Sequence, residues 1–154
     1  MINSPNNPSG TVCKNLKEIA NVAKKNNIII LSDEIYSELV FSKNYQSISN
    51  LYPEKTIISN GLSKWCGAGG WRLGFFAIPN EMKNFKKSLK ILASESFTSV
   101  SAPIQYAGIE AYSGDHNDYI NKAKNILSGI ANYVYDRLKS NRIDISKPEG
   151  GFYL

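Results

Sequence analysis

Histidine and cysteine are scarce in this sequence of 154 residues, which contains one His and two Cys. His116 alone cannot supply the two imidazoles of a zinc-protease motif, and Cys13 and Cys66 lie too far apart in sequence for a zinc knuckle. Two cysteines also cannot build the disulfide framework of a small secreted protein. We therefore expect no dedicated metal site and a reducing, cytoplasmic location.

Long apolar runs and clustered charge are absent as well. The longest apolar stretches are far shorter than the roughly 20 residues that cross a bilayer, and the start of the chain lacks the basic and apolar regions of a signal peptide. The formal net charge is +5, but the lysines are scattered along helix-like stretches. These features predict no membrane partner and no nucleic-acid partner. With 42% hydrophobic residues, the composition is that of a globular protein.

The hydrophobic pattern that is present alternates between the periods of helices and strands. Helical spacing predicts helices at residues 16–23, 82–92, 104–112 and 119–138. Apolar runs and alternation predict strands at residues 28–31, 56–59 and 71–78, and a later pair at 143–145 and 152–154. Residues 42–55 are predicted to form a loop with one helical turn. Uninterrupted apolar strands are typical of a parallel sheet covered on both faces, so the expected fold class is α/β.

The polar residues that follow the predicted strands are the first candidates for a site. Ligands of α/β sheets bind at the carboxyl ends of the strands. Asp33 follows one predicted strand, Lys64 follows the next, and the turn at Asn7 is expected to follow a strand that lies mostly before Met1. We expect these three groups to point into one crevice.

Lys64 lies between a predicted buried strand and a cluster of glycines, within the segment Gly61–Gly74. Desolvation at such a position favours the neutral amine, which is the form that makes a Schiff base. Arg72 lies eight residues later, and its planar guanidinium can donate paired hydrogen bonds to phosphate. Together they indicate a phosphorylated carbonyl compound as the ligand. The alternative is that Lys64 is a solvated loop residue and that Arg72 pairs with a surface carboxylate.

Asp33 and Tyr36 support the first of these interpretations. A carboxylate at the end of a buried strand needs a cationic partner, and a protonated pyridine nitrogen would serve. Tyr36 lies three residues later and can present its hydroxyl to the same crevice. Each feature also has a purely structural alternative: Asp33 as a turn cap, Tyr36 as core packing, and residues 6–10 as an ordinary turn.

The order of these segments is more specific than any one of them. Asn7–Gly10 comes first, then Asp33–Tyr36, then Ser63 with Lys64, and finally Arg72–Gly74. This succession, with its spacings, resembles the class I/II aminotransferase family of fold-type-I pyridoxal-phosphate enzymes. The resemblance covers nearly the whole chain, and residues 61–74 are similar at each constrained position to the cofactor-attachment signature of that family.

The resemblance implies a pyridoxal 5'-phosphate cofactor and a role for several residues of this chain. Lys64 would hold the cofactor as a Schiff base and would then move a proton between substrate and cofactor. Asp33 would pair with the pyridine nitrogen of the ring. Tyr36 and Asn7 would hydrogen-bond the phenolic oxygen of the ring.

The resemblance assigns the phosphate of the cofactor to Arg72, together with Ser63. One position departs from the family pattern, because many relatives carry a phosphate-binding serine three residues before the lysine and this chain has Gly61 there. Because glycine has no side-chain hydroxyl, phosphate binding is expected to be weaker, but the resemblance to the family still holds. Trp65 receives no role, and His116 is expected at the surface.

The resemblance also divides the chain into parts. Residues 1–114 would form the second half of the large, cofactor-binding domain, residues 115–141 a connecting helix, and residues 142–154 the start of a small domain. Family members carry further segments on both sides, including an arginine that binds the α-carboxylate of the substrate, and no residue here matches it. We therefore expect both ends to continue in the complete protein, and the chain alone to have negligible turnover.

The activity that the resemblance implies is transfer of an amino group between an amino acid and a 2-oxo acid, by a homodimer when full length. The amino acid is not specified, because the side-chain pocket of the family draws on segments outside this chain. Three alternatives stand beside this function. They are an inactive truncated chain, a lyase or decarboxylase that uses the same lysine, and the effector domain of a transcription regulator built on this fold.

Overall fold

The computed structural model describes residues 1–42 and 45–154, and within these ranges four strands form one sheet. The strands are β1 (Ile2–Asn3), β2 (Ile30–Asp33), β3 (Thr56–Gly61) and β4 (Gly74–Ala77), in that order across the sheet. β1, β2 and β3 are parallel, and β4 is antiparallel to β3. This mixed sheet with its helices confirms the predicted α/β class, and β1 is the strand expected ahead of Asn7.

The same described ranges contain four α-helices, and their positions confirm the helical periodicity of the sequence. They are α1 (Leu16–Lys25), α2 (Lys83–Ser96), α3 (Ala102–Ser113) and α4 (Asn117–Ser140). α1 connects β1 to β2 and carries Lys24 and Lys25 in its last turn, where the helix dipole favours positive charge. α3 has Pro103 in its first turn, where a missing N–H costs no helical hydrogen bond. α4 has 24 residues and is therefore about 36 Å long.

Two clusters of buried apolar side chains lie on the described part of the sheet. The first packs α1 against β2 and contains Ala20, Ala23, Ile30, Ile48 and Tyr52. The second lies next to the carboxyl ends of β2 and β3 and contains Tyr36, Leu39, Leu62 and Trp65. Because Leu62 directly follows β3 and is fully buried, the second cluster fixes the start of the loop after that strand.

The strand predicted at residues 28–31 is displaced by two residues. β2 begins at Ile30, and Ile28 and Ile29 are about half exposed, at 50% and 49%. The N–H of Ile28 donates to the carbonyl of Ala23 at 2.9 Å, so this residue still belongs to the end of α1. The apolar run therefore covers both a helix cap and a strand, which hydrophobicity alone does not separate.

The predicted pairing of residues 143–145 with 152–154 is wrong. No strand is present in either segment, and Gly150 forms an isolated antiparallel bridge with Val40. The N–H of Gly151 donates to the carbonyl of Leu39 at 3.1 Å. The carbonyl of Glu149 also accepts from the N–H of Phe41 at 2.9 Å, so the chain leading into Phe152 lies against residues 39–41 rather than against residues 143–145. In the predicted loop at 42–55, residues 43 and 44 lie outside the described residues, and two short 3₁₀ turns lie at Ile48–Asn50 and Pro53–Lys55.

Large apolar side chains are exposed on β4 and on α2, α3 and α4. Examples are Phe76, 54% exposed, Leu92, 63% exposed, and Ile126, 63% exposed. The apolar face predicted for α2 includes Phe85 and Leu92, yet no residue of that helix is buried. None of the helices in the described ranges is both long enough and apolar enough to cross a membrane.

Candidate active site

The carboxyl ends of three parallel strands lie at one edge of the sheet. β1 ends at Asn3, which is opposite Asp33 at the end of β2, and Asp33 is opposite Ser59 near the end of β3. Polar loops follow each strand and carry Asn7, Ser63 and Lys64. β4 is antiparallel and begins at this edge, so Arg72, two residues before it, belongs to the same edge. The structure thus brings all the sequence-predicted site segments to one side of the sheet.

Asn3 joins the Asn7 turn to the end of β2. Its side-chain nitrogen donates to the carbonyl oxygen of Asp33 at 3.3 Å, and its side-chain oxygen accepts from the N–H of Asn7 at 2.7 Å. Asp33 Oδ1 accepts from the N–H of Ile35 at 3.3 Å, so the residue does cap its turn. Asp33 Oδ2 takes part in no hydrogen bond or ion pair among residues 1–42 and 45–154, which leaves it available to a cation.

Glu34, which follows Asp33 in the sequence, has a structural role. Glu34 is buried, and its Oε1 accepts hydrogen bonds from the hydroxyls of Ser32 at 2.9 Å and Ser47 at 2.5 Å. These two donors compensate the carboxylate for the loss of water. Of the adjacent pair of acids, Glu34 is thus buried and bound by two serines, whereas Asp33 is partly exposed at the edge of the sheet.

Tyr36 is the most buried member of the predicted set, with 3% of its surface exposed. Its hydroxyl donates to the hydroxyl of Tyr153 at 3.2 Å. Burial, the hydrogen bond to Tyr153 and the negative charge of Asp33 raise the pKa of the Tyr36 hydroxyl far above its usual value, while the nearby side chain of Asn7 acts in the opposite direction. The hydroxyl therefore stays protonated and donates to Tyr153.

Lys64 lies against aromatic rings rather than against a carboxylate. Its Nζ is 5.6 Å from the ring centroid of Tyr36 and 5.4 Å from that of Phe152. The two ion pairs found in the described part of the chain, Lys14 with Glu149 and Lys122 with Asp118, do not involve it. The half-buried amine is thus free to react and faces the side chain of Tyr36.

The loop between β3 and β4 is a closed turn that contains Ser63, Lys64 and Arg72. The N–H of Leu62 donates to the carbonyl of Leu73 at 3.2 Å, which closes the base of the loop. Arg72 is exposed and has a positive φ of 54°, and its guanidinium donates to the carbonyl of Gly69 at 2.8 Å. Within the described residues, no hydrogen bond or ion pair joins the side chains of Arg72 and Ser63 to each other or to Lys64.

Two glycines of this loop leave room for an anion. A Cβ added at Gly70 would meet nothing within 4 Å, and one added at Gly69 would meet only the carbonyl oxygen of Ser63, at 3.6 Å. Packing in the described residues therefore does not require glycine at either position. Without side chains, the backbone here is open to close approach by a phosphate, and Arg72 supplies the charge. The donor set fits a phosphorylated pyridoxal ring, with an amine, an unengaged carboxylate, a protonated tyrosine and an arginine.

Gly61 closes the base of the loop so tightly that a side chain has no room there. It is the last residue of β3 and pairs with Gly74. A Cβ at this position would lie 2.6 Å from the carbonyl oxygen of Leu73 and 3.0 Å from the Cα of Gly74. The departure from the expected serine pattern noted in the sequence therefore coincides with a position where packing requires glycine.

The variant Gly61→Ala is expected to lower the free energy of unfolding by about 1–3 kcal/mol, because the Cβ forces the two strands apart. Gly129→Ala is the matched control. Gly129 lies within α4 and a Cβ there meets nothing within 4 Å, so this change is expected to stabilise the protein by about 0.5–1 kcal/mol. Urea unfolding of both variants measures the difference, and equal stability of the two would contradict the steric account.

The structure adds detail for two residues outside the predicted set. His116 lies at the surface and is partly covered, with its ring 6.2 Å from that of Trp65 and its Nε2 3.2 Å from the carbonyl oxygen of Glu110. Trp65, for which the sequence offered no role, is a buried member of the second core cluster.

Tyr153 and Phe152 were missed as neighbours of the site. The sequence indicated only a C-terminal apolar strand there, and Tyr36 and Tyr153 are 117 residues apart. No local pattern predicts that contact.

Comparison with known proteins identifies the family of the chain. The family described as "Aminotransferase class I and II" matches residues 1–154. The chain is 36% identical over 152 residues to a probable N-acetyl-LL-diaminopimelate aminotransferase of Bacillus subtilis, covering 97% of this chain and 38% of that protein. It is also 36% identical over 161 residues to an aspartate aminotransferase of Geobacillus stearothermophilus, covering 100% of this chain and 40% of the relative.

Solved structures show the same relationship. A double mutant of the aspartate aminotransferase of Thermus thermophilus superposes with a TM-score of 0.90 at 27% identity, over 97% of this chain and 40% of the other. An alanine aminotransferase of Pyrococcus furiosus gives a TM-score of 0.86 at 33% identity, over 97% and 39%. The present chain thus spans about 40% of the length of such relatives. By its sequence and its fold, the chain belongs to the class I and II aminotransferases.

Proposed function

We propose that the edge of the sheet described above binds pyridoxal 5'-phosphate, and that the whole protein transfers amino groups between an amino acid and a 2-oxo acid. One observation carries the proposal. The amine of Lys64 lies 5.6 Å from the ring centroid of a buried tyrosine, Tyr36, at the edge of the sheet where Asp33 ends β2. Membership in the aminotransferase family supports the same conclusion.

Different residues of this chain bind different parts of the cofactor. Asp33 binds the protonated pyridine nitrogen through its unengaged oxygen, which keeps that nitrogen charged. Tyr36 and Asn7 bind the phenolic oxygen. Arg72 and Ser63 bind the phosphate, for which Arg72 gives up its hydrogen bond to the carbonyl of Gly69.

Lys64 has two successive roles in the proposed reaction. The cofactor, when bound, supplies an aldehyde that reacts with amines and a ring that accepts electrons from the substrate α-carbon. Lys64 Nζ would hold the aldehyde carbon of the cofactor, and the same amine, once free, would accept the proton of the substrate α-carbon and pass it to the cofactor. The aromatic rings of Tyr36 and Phe152 exclude water on one side of this amine.

The wider organisation of the protein is part of the proposal. Residues 1–114 form part of the large domain, residues 115–141 the connecting helix and residues 142–154 the start of the small domain. The substrates are an amino acid and a 2-oxo acid, and the full-length protein is a homodimer in the cytoplasm. The names of the three relatives cited here, each an aminotransferase, support the substrate class.

A transfer assay with isotopic nitrogen tests this function. The full-length protein is loaded with pyridoxal phosphate and mixed with ¹⁵N-labelled amino acids and an unlabelled 2-oxo acid. We expect ¹⁵N in the amino acid that forms from the 2-oxo acid, together with a new 2-oxo acid from each accepted donor. Cofactor binding without ¹⁵N transfer, accompanied by release of carbon dioxide or ammonia, would contradict the transfer reaction and would favour a decarboxylase or lyase.

A further inference from the structure

Phe152 belongs to a segment that is fixed to both sides of the site by backbone hydrogen bonds. The N–H groups of Glu149 and Gly150 donate to the carbonyl of Gly10, in the turn that follows β1, at 2.8 and 3.1 Å. The carbonyl of Glu149 accepts from the N–H of Phe41, in the loop that follows β2, at 2.9 Å. The segment therefore joins the loops that follow two neighbouring strands.

The side chain of Glu149 strengthens this attachment. Its carboxylate accepts from the N–H of Val12 at 3.0 Å and forms an ion pair with Lys14 at 3.1 Å. The hydrogen bond from Val12 and the charge of Lys14 lower the pKa of Glu149, so the carboxylate is ionised at neutral pH. A segment held in this way can place a side chain with the accuracy that a binding site requires.

The rings of Phe152 and Tyr36 form a corner beside the amine of Lys64. Their centroids are 5.5 Å apart, and their planes are nearly perpendicular, at 81°. Lys64 Nζ is 5.4 Å from the centroid of Phe152 and 5.6 Å from that of Tyr36, so it lies within contact range of both rings at once. Tyr36 is buried, whereas Phe152 is 47% exposed. Phe152 is therefore the outer wall of this corner.

The ring of Tyr153 supports the outer wall. Its centroid is 5.0 Å from that of Phe152, with an angle of 37° between the planes. The hydroxyl of Tyr153 accepts from that of Tyr36 at 3.2 Å. The ring of Phe152 thus packs against two tyrosines that are joined to each other, and this packing defines its position although it is half exposed.

Lys64 needs such a wall because its own side chain is flexible. A lysine amine is carried on four methylene groups with rotatable bonds. An amine that attacks a carbonyl carbon must lie about 3–3.5 Å from it and in the right direction. Neither ion pair of the described residues includes Lys64. Within this part of the chain, the positions of Nζ are therefore limited by its contacts with the two rings.

We propose that Phe152 is a positioning residue for Lys64, because its ring restricts Nζ to positions beside Tyr36. The inference rests on the proposed function, since it assumes that Lys64 is the amine to which pyridoxal phosphate attaches. In that attachment the nitrogen of Lys64 bonds to the aldehyde carbon, and the aldehyde oxygen leaves as water. Phe152 takes no part in these bonds and acts only on the place from which the amine reacts.

The variant Phe152→Leu, made in the full-length protein, removes the ring and keeps an apolar side chain. We expect the rate of attachment at Lys64, trapped with borohydride at successive times, to fall about 10-fold, because the amine spends less time in the reactive position. Phe152→Tyr keeps the ring and should attach the cofactor at the rate of the unsubstituted protein.

Pyridoxine 5'-phosphate separates a positioning role from a purely structural one. This compound carries an alcohol in place of the aldehyde, so it can occupy the site without attaching to the lysine. Its dissociation constant, measured by calorimetry, should be the same in Phe152→Leu and in the unsubstituted protein. Phe97→Leu is the matched control, because Phe97 is 67% exposed and follows α2. It should change neither the rate of attachment nor the dissociation constant.

Three results would overturn the inference while the proposed function stands. They are an unchanged rate of attachment at Lys64 in Phe152→Leu, an equal loss of rate in Phe152→Tyr, and a loss of pyridoxine phosphate binding as large as the loss of rate. Failure of the unsubstituted protein to attach pyridoxal phosphate at Lys64 would instead overturn the proposed function.

Discussion

Replacement of Lys64 by alanine is expected to abolish covalent attachment of pyridoxal phosphate and to lower the rate of amino transfer by about 10⁴-fold. The size of the effect follows from the two roles proposed for one amine, which anchors the aldehyde and then moves the proton of the α-carbon. The variant Lys64→Arg keeps the positive charge but is also expected to lose cofactor attachment and amino transfer. A guanidinium neither forms the imine nor accepts a proton at neutral pH. Absorbance of the bound cofactor and the ¹⁵N transfer assay measure the two losses separately.

Lys17→Ala is the matched control for this prediction. Lys17 lies on the exposed side of α1, so its loss removes the same charge without touching the edge of the sheet. This variant should bind the cofactor and transfer nitrogen as the unsubstituted protein does. An active Lys64→Ala variant would show that another residue performs the chemistry.

The second large effect is expected from Asp33→Asn. The amide keeps the size of the side chain and an oxygen that can accept from the N–H of Ile35, a contact of 3.3 Å in the structure. It removes the negative charge that is proposed to hold the proton on the pyridine nitrogen. Loss of one charge-assisted hydrogen bond weakens cofactor binding by roughly 10–100-fold. The rate of transfer should fall further, because an unprotonated ring accepts electrons poorly.

Two measurements check the Asp33 prediction. The dissociation constant reports the binding loss, and the rate of α-proton exchange into deuterated water reports the loss of electron acceptance. Asp118→Asn is the control, since Asp118 is exposed and paired only with Lys122 within its own helix. If Asp33→Asn exchanged the α-proton at the rate of the control, the role assigned to Asp33 would be wrong.

The position of the site was predictable because it depends on where strands end. Asp33 and Lys64 each follow an apolar run, and the carboxyl ends of parallel strands meet at one edge, so sequence alone places them together. The direction of β4 was not predictable in this way, since an apolar run is equally compatible with a parallel and an antiparallel strand. That direction is what brings Arg72 to the site.

Other features depend on contacts between distant parts of the chain. The hydroxyl of Tyr36 meets that of Tyr153, 117 residues away, through a segment held by the carbonyl of Gly10. The same backbone hydrogen bonds hold residues 149–151 against the turns at Gly10 and Leu39, in place of the hairpin that was predicted with residues 152–154. The tight packing at Gly61 likewise depends on a facing segment, because it arises from the carbonyl of Leu73, the residue before β4.

Borohydride reduction in the presence of pyridoxal phosphate, followed by peptide mapping, tests the central claim most directly. Reduction turns the link between amine and cofactor into a stable secondary amine that survives digestion. The account predicts a single labelled peptide that contains Lys64, and no label when Lys64 is replaced by alanine. A label on another lysine, or none on any, would contradict it.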